Sequence, residues 1–528
     1  MKKSILTGAI ILTAASVTTR LLGFVYRIFM SNAIGAEGMG LYQMMMLVYN
    51  LAWAITCSGF TTTVSKLVAA ESAKKEYGNI RRVLKQSIII TALISIVVSI
   101  VIFIAAGFIG VHILHDHRIV MPLRILTFAI PFMAMGSCLR GYFLGLSENT
   151  VPAISQVFEQ CIKMGVIFFL GAAFIPMGLE YAVTVAVIGV IAGEFLSFIL
   201  VLFSYKMRKL NKTQKKEPIL KPMQTTIMIF TMALPLTANR ITGSLLATVE
   251  NALIPARLQA YGLTATQAMS EYGKITGMAL PLIFFPSAIL TSLSISLVPA
   301  ISYAMAAKNH TRVSDIVSKA MMFTTVIAML ASAVFLAFAN ELGMVIYNQD
   351  IGSILFLLGL MCPFWYLALT FSGILNGLGQ QMFIFKSSLL SSAMNIIAIY
   401  FFVPIYGVNA FIFGWFASLV VITAIDLWKI KKVAKIKIPI LKWFAKPALA
   451  AAATGLVVDY LSRKYIFDLF GNTIGLVVSI ALLCVMYGLF ILSLGCITIA
   501  DINRLIKGHK GSSADRGLFK RGESAVKQ

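Results

Sequence analysis

Two arginines seven residues apart, Arg20 and Arg27, stand in TTRLLGFVYR, inside the first long apolar run of the chain. A third, Arg240, follows Asn239 in ANRITG, deep in another such run. A charge at the centre of a lipid bilayer costs about 2.5–3.5 kcal/mol on insertion scales, so arginines kept there have a role that offsets the cost. Seven residues is two helical turns, which sets Arg20 and Arg27 on one face. If the first helix starts near Ile5, Arg20 lies about 22 Å along its axis; Arg240, in a run starting near Thr225, lies at a similar depth. No acidic residue stands within a helical turn of Arg20 or Arg240. A guanidinium keeps its charge and grips phosphate through a planar fork of donors. The chemistry implied is a cationic cavity for a phosphate or pyrophosphate group, with Arg20, Arg27, Asn239 and Arg240 as its binding residues. Arg27, closer to the end of its run, can also snorkel to the interface.

Four acidic residues in apolar runs ask for an account of their own: Glu159, Glu194, Glu250 and Asp459. Glu159 and Lys163 are spaced i,i+4 and so are Asp459 and Arg463, which suits mutual neutralisation. Glu194 either bridges helices or binds a coupling ion. Glu250 is ten residues beyond Arg240 and serves as a gate, a cation site or an interfacial carboxylate. Glu194 and Glu250 are thus the candidate gate or ion-coupling groups. HILHDH (112–117) has metal-like spacing but occupies one short loop, and no metal site is expected there. The six cysteines lie in apolar runs without a C-x-x-C pair, as small buried hydrophobes do.

The elements that must position these residues are membrane helices. Of the 528 residues 59% are hydrophobic and 12% charged, about half the charge of a soluble protein. Spans need about 20 apolar residues each, and the chain divides into about fourteen: 5–30, 39–65, 86–111, 121–144, 150–175, 180–204, 225–253, 274–306, 317–340, 351–375, 382–402, 407–428, 447–465 and 473–497. The first carries Lys2 and Lys3 but no small-residue cleavage site, and reads as a retained helix. With the N-terminus inside, the inner pieces are the tip, 66–85, a turn at Arg140, 205–222, 308–319, 429–446 and the tail from 504. They hold 33 of the 44 lysines and arginines. That asymmetry predicts N-in and C-in with an even number of spans. The net charge of +24 is then a topology signal beside an anionic leaflet, and no nucleic-acid partner is needed.

The basic linkers at 205–222 and 429–446 cut the chain into an N-terminal lobe (1–215), a C-terminal lobe (216–440), a final pair of helices (441–503) and a basic tail (504–528). The lobes echo one another. RGYFLGL (140–146) answers to SGILNGL (372–378), and TTRLLG (18–23) to ANRITG (238–243). Parallel repeats of this kind occur in transporters, with substrate bound near midplane at the repeat interface. The hydroxyls of SAILTSLSISLVPAIS (287–302) suit close helix packing and cavity lining. Pro281, Pro286 and Pro299 with Gly23 and Gly35 predict bent helices that serve alternating access. No G-x-x-x-x-G-K-[ST] is present, so transport is expected to be facilitative or driven by an ion gradient or the membrane potential, without a nucleotide or other cofactor.

TRLLGFVYRI, IGAEGMGLYQM (34–44), VSKLVA (64–69), LRGYFLG (139–145), YGKITGMALPLIFFP (272–286) and SLVPAIS (296–302) resemble, in order along the chain, the stage V sporulation protein B group. That group sits in the polysaccharide-transporter branch of the MOP exporter superfamily, related to MurJ-like lipid II flippases. The resemblance implies two six-helix lobes around a cavity, a lipid-facing groove on helices 13 and 14, and no enzymatic activity. Its cargo is an undecaprenyl-pyrophosphate-linked sugar, its other partners membrane lipids and cell-wall synthesis proteins. MurJ-like proteins use arginines in helices 1, 2 and 8. Arg20 fits the helix 1 pattern R-x-L-G-F, whereas Tyr26 stands at the second position and Arg27 follows it. Helix 2 has only Lys66 at its inner end, and helix 8 offers Lys274. The resulting expectation is an all-α flippase that moves a lipid-linked cell-wall precursor, with lipid II favoured. The alternatives are a cation-coupled multidrug exporter of the same superfamily and a non-transporting scaffold for cell-wall or sporulation enzymes.

Overall fold

A computed structural model describes residues 2–207, 220–435 and 441–495. Most of the linker at 205–222, Cys496 and the tail from 504 lie outside the described residues. Every described element is helical, because a chain in lipid must satisfy its own backbone N–H and C=O groups. The α-helices are α1 (Lys2–Trp53), α2 (Gly59–Ala73), α3 (Tyr77–Phe108), α4 (Val120–Leu126), α5 (Ala129–Gly145), α6 (Thr150–Phe174), α7 (Leu179–Met207), α8 (Pro222–Ala260), α9 (Ala265–Gly273), α10 (Leu280–Phe284), α11 (Ser287–Ala306), α12 (His310–Ala337), α13 (Ala339–Leu342), α14 (Gly352–Gly377), α15 (Gln381–Ile397), α16 (Val403–Ala434), α17 (Lys446–Leu461) and α18 (Phe467–Ser493).

Among the described residues nine helical stretches are long and apolar enough to cross a membrane, or ten if α4 and α5, bent by 44°, make one span. Three of the nine are far too long for one crossing. Ala14–Ala73 has 60 residues, about 90 Å of helix against a hydrocarbon core of about 30 Å. Each of the three contains a glycine with φ near +70°, Gly35, Gly407 or Gly471, a left-handed conformation that side chains resist. Of the bends expected at prolines and glycines, Pro286 stands at a break, whereas Pro299 lies inside α11 and no break occurs at Gly23. α10 ends at Phe285–Pro286, and a wide turn, Lys274–Ala279, precedes it.

Hydrogen bonds sort the connections to two ends. At one, rich in lysine and arginine, Leu220 is held by Asn79 and Arg82, and Lys446 caps Leu494 O at 2.9 Å. At the other, nearly neutral end, Arg118 bridges Asp116 and Glu37, and Arg463 bridges Asp459 and Glu341. Asp116 and Glu37 bond the Arg118 guanidinium and raise its pKa further above its ordinary value. Asp116, in the metal-like HILHDH motif, is committed to that arginine.

The glycine pairs Gly141/Gly145 and Gly373/Gly377 do equivalent work. Gly141 and Gly145 of α5 press on the α2 backbone, where an added Cβ would lie 2.7 Å from Thr61 O and 2.6 Å from Ser65 O. Gly373 and Gly377 of α14 press on α11 in the same way, 2.8 Å from Ser294 Cα and 2.9 Å from Ile301 Cβ. Ser294 and Ser302 donate to Leu369 O and Gly377 O across that contact, while Ser292 and Ser296 stay exposed on the other face of α11. Cys57, Cys138 and Cys362 are buried as expected, but Cys161 and Cys484 are exposed. In a membrane helix the outside is lipid, and a cysteine is as well placed there as in the core.

Candidate functional site

Arg20 lies on α1 and Asn239 and Arg240 on α8, all three exposed. No ion pair or hydrogen bond joins either arginine to another described residue. The fold accounts for the free face of α8. α8 is clamped to α2 at Gly59, where a Cβ would lie 2.6 Å from Ala233 O and beside buried Thr237; the contact ends there, and Asn239 and Arg240 beyond it are exposed. Phe24 of α1 and Phe285, between α10 and α11, meet with ring centroids 4.8 Å apart and planes tilted by 33°. Arg27 has a different setting. It is half-buried, next to buried Tyr26 and close enough to Tyr347 to interact electrostatically. The two arginines of TTRLLGFVYR therefore serve different surroundings. Lys274, the basic residue of the eighth span, is spent on Glu271 at 2.8 Å.

A seam closes the neutral end. Gly273 of α9 lies against Ala36 O and is so close to Gly40 that a Cβ would come within 2.7 Å of its N. Gly40 lies in turn against Met269 of α9. Gln43 donates to Thr276 O at 2.9 Å, and Asn32 donates to Ile346 O at 3.1 Å. The first and second halves of the chain thus meet backbone to backbone beyond the arginines.

Glu159 and Glu194 are not free. Lys163 donates to Glu159 at 2.6 Å as its spacing suggests. The sequence reading set Arg140 in a short turn between spans, and the structure corrects this. Arg140 is inside α5 with its side chain largely buried, 3.4 Å from Glu159 and 3.8 Å from Glu194. Chain direction changes only at 146–149, after the glycines that pull α5 onto α2. Tyr49 of α1 donates to Glu194 at 2.7 Å. Two acids and two bases are thereby balanced among α5, α6 and α7, with α1 tied in. Glu194 thus links α7 to α1 and α5 through Tyr49 and Arg140. Arg140→Leu leaves two buried acids to one lysine. It should lower stability by about 3–5 kcal/mol, and thermal unfolding in detergent would measure this; Glu194→Gln added to it should recover part of the loss.

Two acids in the second half are withdrawn from the surface yet have no cationic partner among the described residues. Glu250 of α8 accepts from Asn395 Nδ2 at 3.4 Å and lies within reach of Ser392. Asp426 of α16 accepts from Ser387 at 2.9 Å and is buried. Sequence reasoning missed Asp426, because TAIDLWKIKK looks like the polar end of a span. The usable signal was a lone acid one turn before the basic cluster. Asp459, by contrast, pairs with Arg463 at 2.8 Å, as its spacing implies.

Residues 5–305 match the polysaccharide biosynthesis protein family. The chain belongs to that family. The matched stretch contains Arg20, Arg27, Glu194, Asn239, Arg240 and Glu250. Stage V sporulation protein B of Bacillus subtilis (strain 168) is 30% identical over 472 residues, 87% of this chain and 90% of that protein. Lipid II flippase MurJ of the same organism is 28% identical over 225 residues, 40% of each chain. A solved structure of lipid II flippase MurJ in an inward closed conformation superposes with a TM-score of 0.69 at 16% identity, covering 92% of this chain and 99% of that one. An inward-facing multidrug resistance MATE family transporter superposes at 0.60 with 13% identity, over 79% and 96%. The structural likenesses show the fold. With the sequence relatives they make this family member a multi-pass membrane protein similar to stage V sporulation protein B.

Proposed function

We propose that the protein exports a polyprenyl-pyrophosphate-linked cell-wall precursor, lipid II being the favoured cargo, from the inner to the outer leaflet by alternating access. The observation that carries this reading is the pair Arg20 and Arg240, exposed on α1 and α8 and without a partner among the described residues. Arginine fork geometry suits pyrophosphate, and a multidrug exporter for cationic drugs would be served by acids instead. A scaffold would have no use for the insertion cost of either arginine. Arg20, Asn239 and Arg240 hold the pyrophosphate, and Arg27 sits behind them at the closed end.

The reading takes the chain as fourteen spans. α1–α2, α15–α16 and α17–α18 each count twice at their glycine breaks, α4 and α5 form one span, and α8 is another despite its three charges. The basic end, where α18 ends and α1 begins, is taken as inner. The helices up to α7 form one lobe, those from α8 to α16 the other. α17 and α18, with apolar outward faces, give the polyprenyl tail a path in lipid while the sugar crosses. Membrane lipids and cell-wall synthesis proteins are the expected neighbours. Glu250 is the favoured ion-coupling group.

The experiment is outward movement of labelled lipid II in proteoliposomes, with and without an imposed potential. Movement by the wild type supports the reading. No movement of lipid II or of any other polyprenyl-pyrophosphate sugar, set against efflux of cationic drugs, would overturn it.

A further inference from the structure

α15 and α16 meet along a line of polar side chains apart from the arginines. Towards the inner end Ser387 Oγ donates to Asp426 Oδ1 at 2.9 Å. One turn further along α15, the hydroxyls of Ser391 and Ser418 pair at 3.1 Å. The next residues of α15 reach Glu250 of α8, Asn395 Nδ2 at 3.4 Å and Ser392 beside it. Ser387, Ser418, Asn395 and Asp426 are all buried; Asn395 is 9% exposed, and its Oδ1 has no hydrogen-bond partner.

No cation among the described residues answers either carboxyl. On α16 Lys429 turns to the Phe383 ring and Lys432 to Trp428, with Lys431 exposed beyond them. On α15 Lys386 is exposed. On α8 Arg257 stacks on Tyr400 at 3.7 Å. α14, packed against α16, carries no charged residue at all, and on α12 Lys319 is spent on Asp315. A carboxyl buried in a membrane protein without a cation is served best by a proton.

We propose that this line is a proton path in which Asp426 takes a proton from the inner water and Glu250 receives it. Ser387 and the Ser391–Ser418 pair carry it: each hydroxyl accepts a proton on a lone pair and releases its own, with a water between successive rungs. The net step leaves Asp426 anionic until it is reloaded and Glu250 neutral. The path stands on the α15–α16 contacts, and only its use in driving cargo rests on the export reading. It adds Asp426, absent from every motif read above, as the inner proton acceptor.

The test uses inverted membrane vesicles holding the full-length protein, with the lumen at fixed pH and the medium, which bathes the inner face, acidified. A lipophilic carbodiimide labels protonated carboxyls in apolar surroundings, and peptide mass spectrometry reads Glu250 and Asp426 separately. Acidifying the medium is expected to raise the labelling rate of both in the wild type. Asp426→Asn, and independently Ser391→Ala with Ser418→Ala, should cut the rise at Glu250 by about fivefold or more. Arg20→Ala with Arg240→Ala should leave it unchanged. A rise at Glu250 that survives Asp426→Asn in full overturns the path. So does one lost in the arginine variant, since the route would then run through the cargo cavity. Failure of lipid II to move, with the labelling pattern intact, counts against the cargo alone.

Discussion

Arg20→Ala combined with Arg240→Ala is expected to reduce lipid II export at least about 100-fold while leaving insertion and thermal unfolding close to wild type. Hydrogen bonds to a charged group are worth about 1.5–3 kcal/mol each, so removing two such anchors loses about 3–6 kcal/mol of cargo binding. Stability is spared because neither guanidinium holds another described residue. Arg20→Lys and Arg240→Lys keep the charge without the fork and should fall between. Arg27→Ala should differ in kind, acting through the closed end with Tyr26 and Tyr347 around it rather than through cargo affinity. Export measured against cargo concentration separates the two: the double variant raises the concentration needed, and Arg27→Ala lowers the maximal rate. Full export by the double variant, correctly inserted, would sink the pyrophosphate site.

Gly273→Ala and Gly40→Ala should hold the outer seam open. A methyl group at 273 has to occupy the place of the Ala36 carbonyl, and one at 40 lies 2.9 Å from Met269 Cγ as well as against its backbone. Overpacking costs about 1–3 kcal/mol, and here the cost falls on the state with the seam shut. Each substitution then shifts the population toward the outward-open state by about 5- to 100-fold. Together they should stall export with the cavity open outside. A cysteine at Asn239, probed with an impermeant thiol reagent from the outer face, would report this as faster labelling. Gly107→Ala, where no atom lies within 4 Å of the added Cβ, is the control. Unchanged labelling in the glycine variants would mean that the seam does not gate the cavity.

The helical, multi-pass character was readable because lipid enforces a simple rule, a run of about 20 apolar residues for each crossing. Local pairs were readable for the same reason, since Glu159–Lys163 and Asp459–Arg463 follow from helical spacing alone. What could not be read was pairing between helices. Arg140 lies one residue before a glycine and near a turn, and only the packing of α5 against α6 and α7 turns it inward to Glu159 and Glu194. Asp426 finds Ser387 across 39 positions of sequence. Arg20 and Arg27 look equivalent by periodicity, yet Tyr347, far along the chain, gives Arg27 company that Arg20 lacks. The glycines of IGAEGMG announced a turn; that two of its residues also form half of a seam with Met269 and Gly273 is a tertiary fact.

The break at Gly35 bears on how the protein reaches the membrane at all. On the fourteen-span reading Gly35 alone separates the first two spans, so no hydrophilic loop has to be threaded across and residues 2–73 are expected to enter the bilayer as one unit. The insertion cost of Arg20 and Arg27, together about 5–7 kcal/mol if both were at midplane, then falls on a unit that also carries LYQMMMLVYNLAW. That second arm, apolar enough to span unaided, brings the arginines in with it during synthesis. A hairpin split by a longer loop would leave the first helix to insert alone, and synthesis would be the step at which such a variant fails.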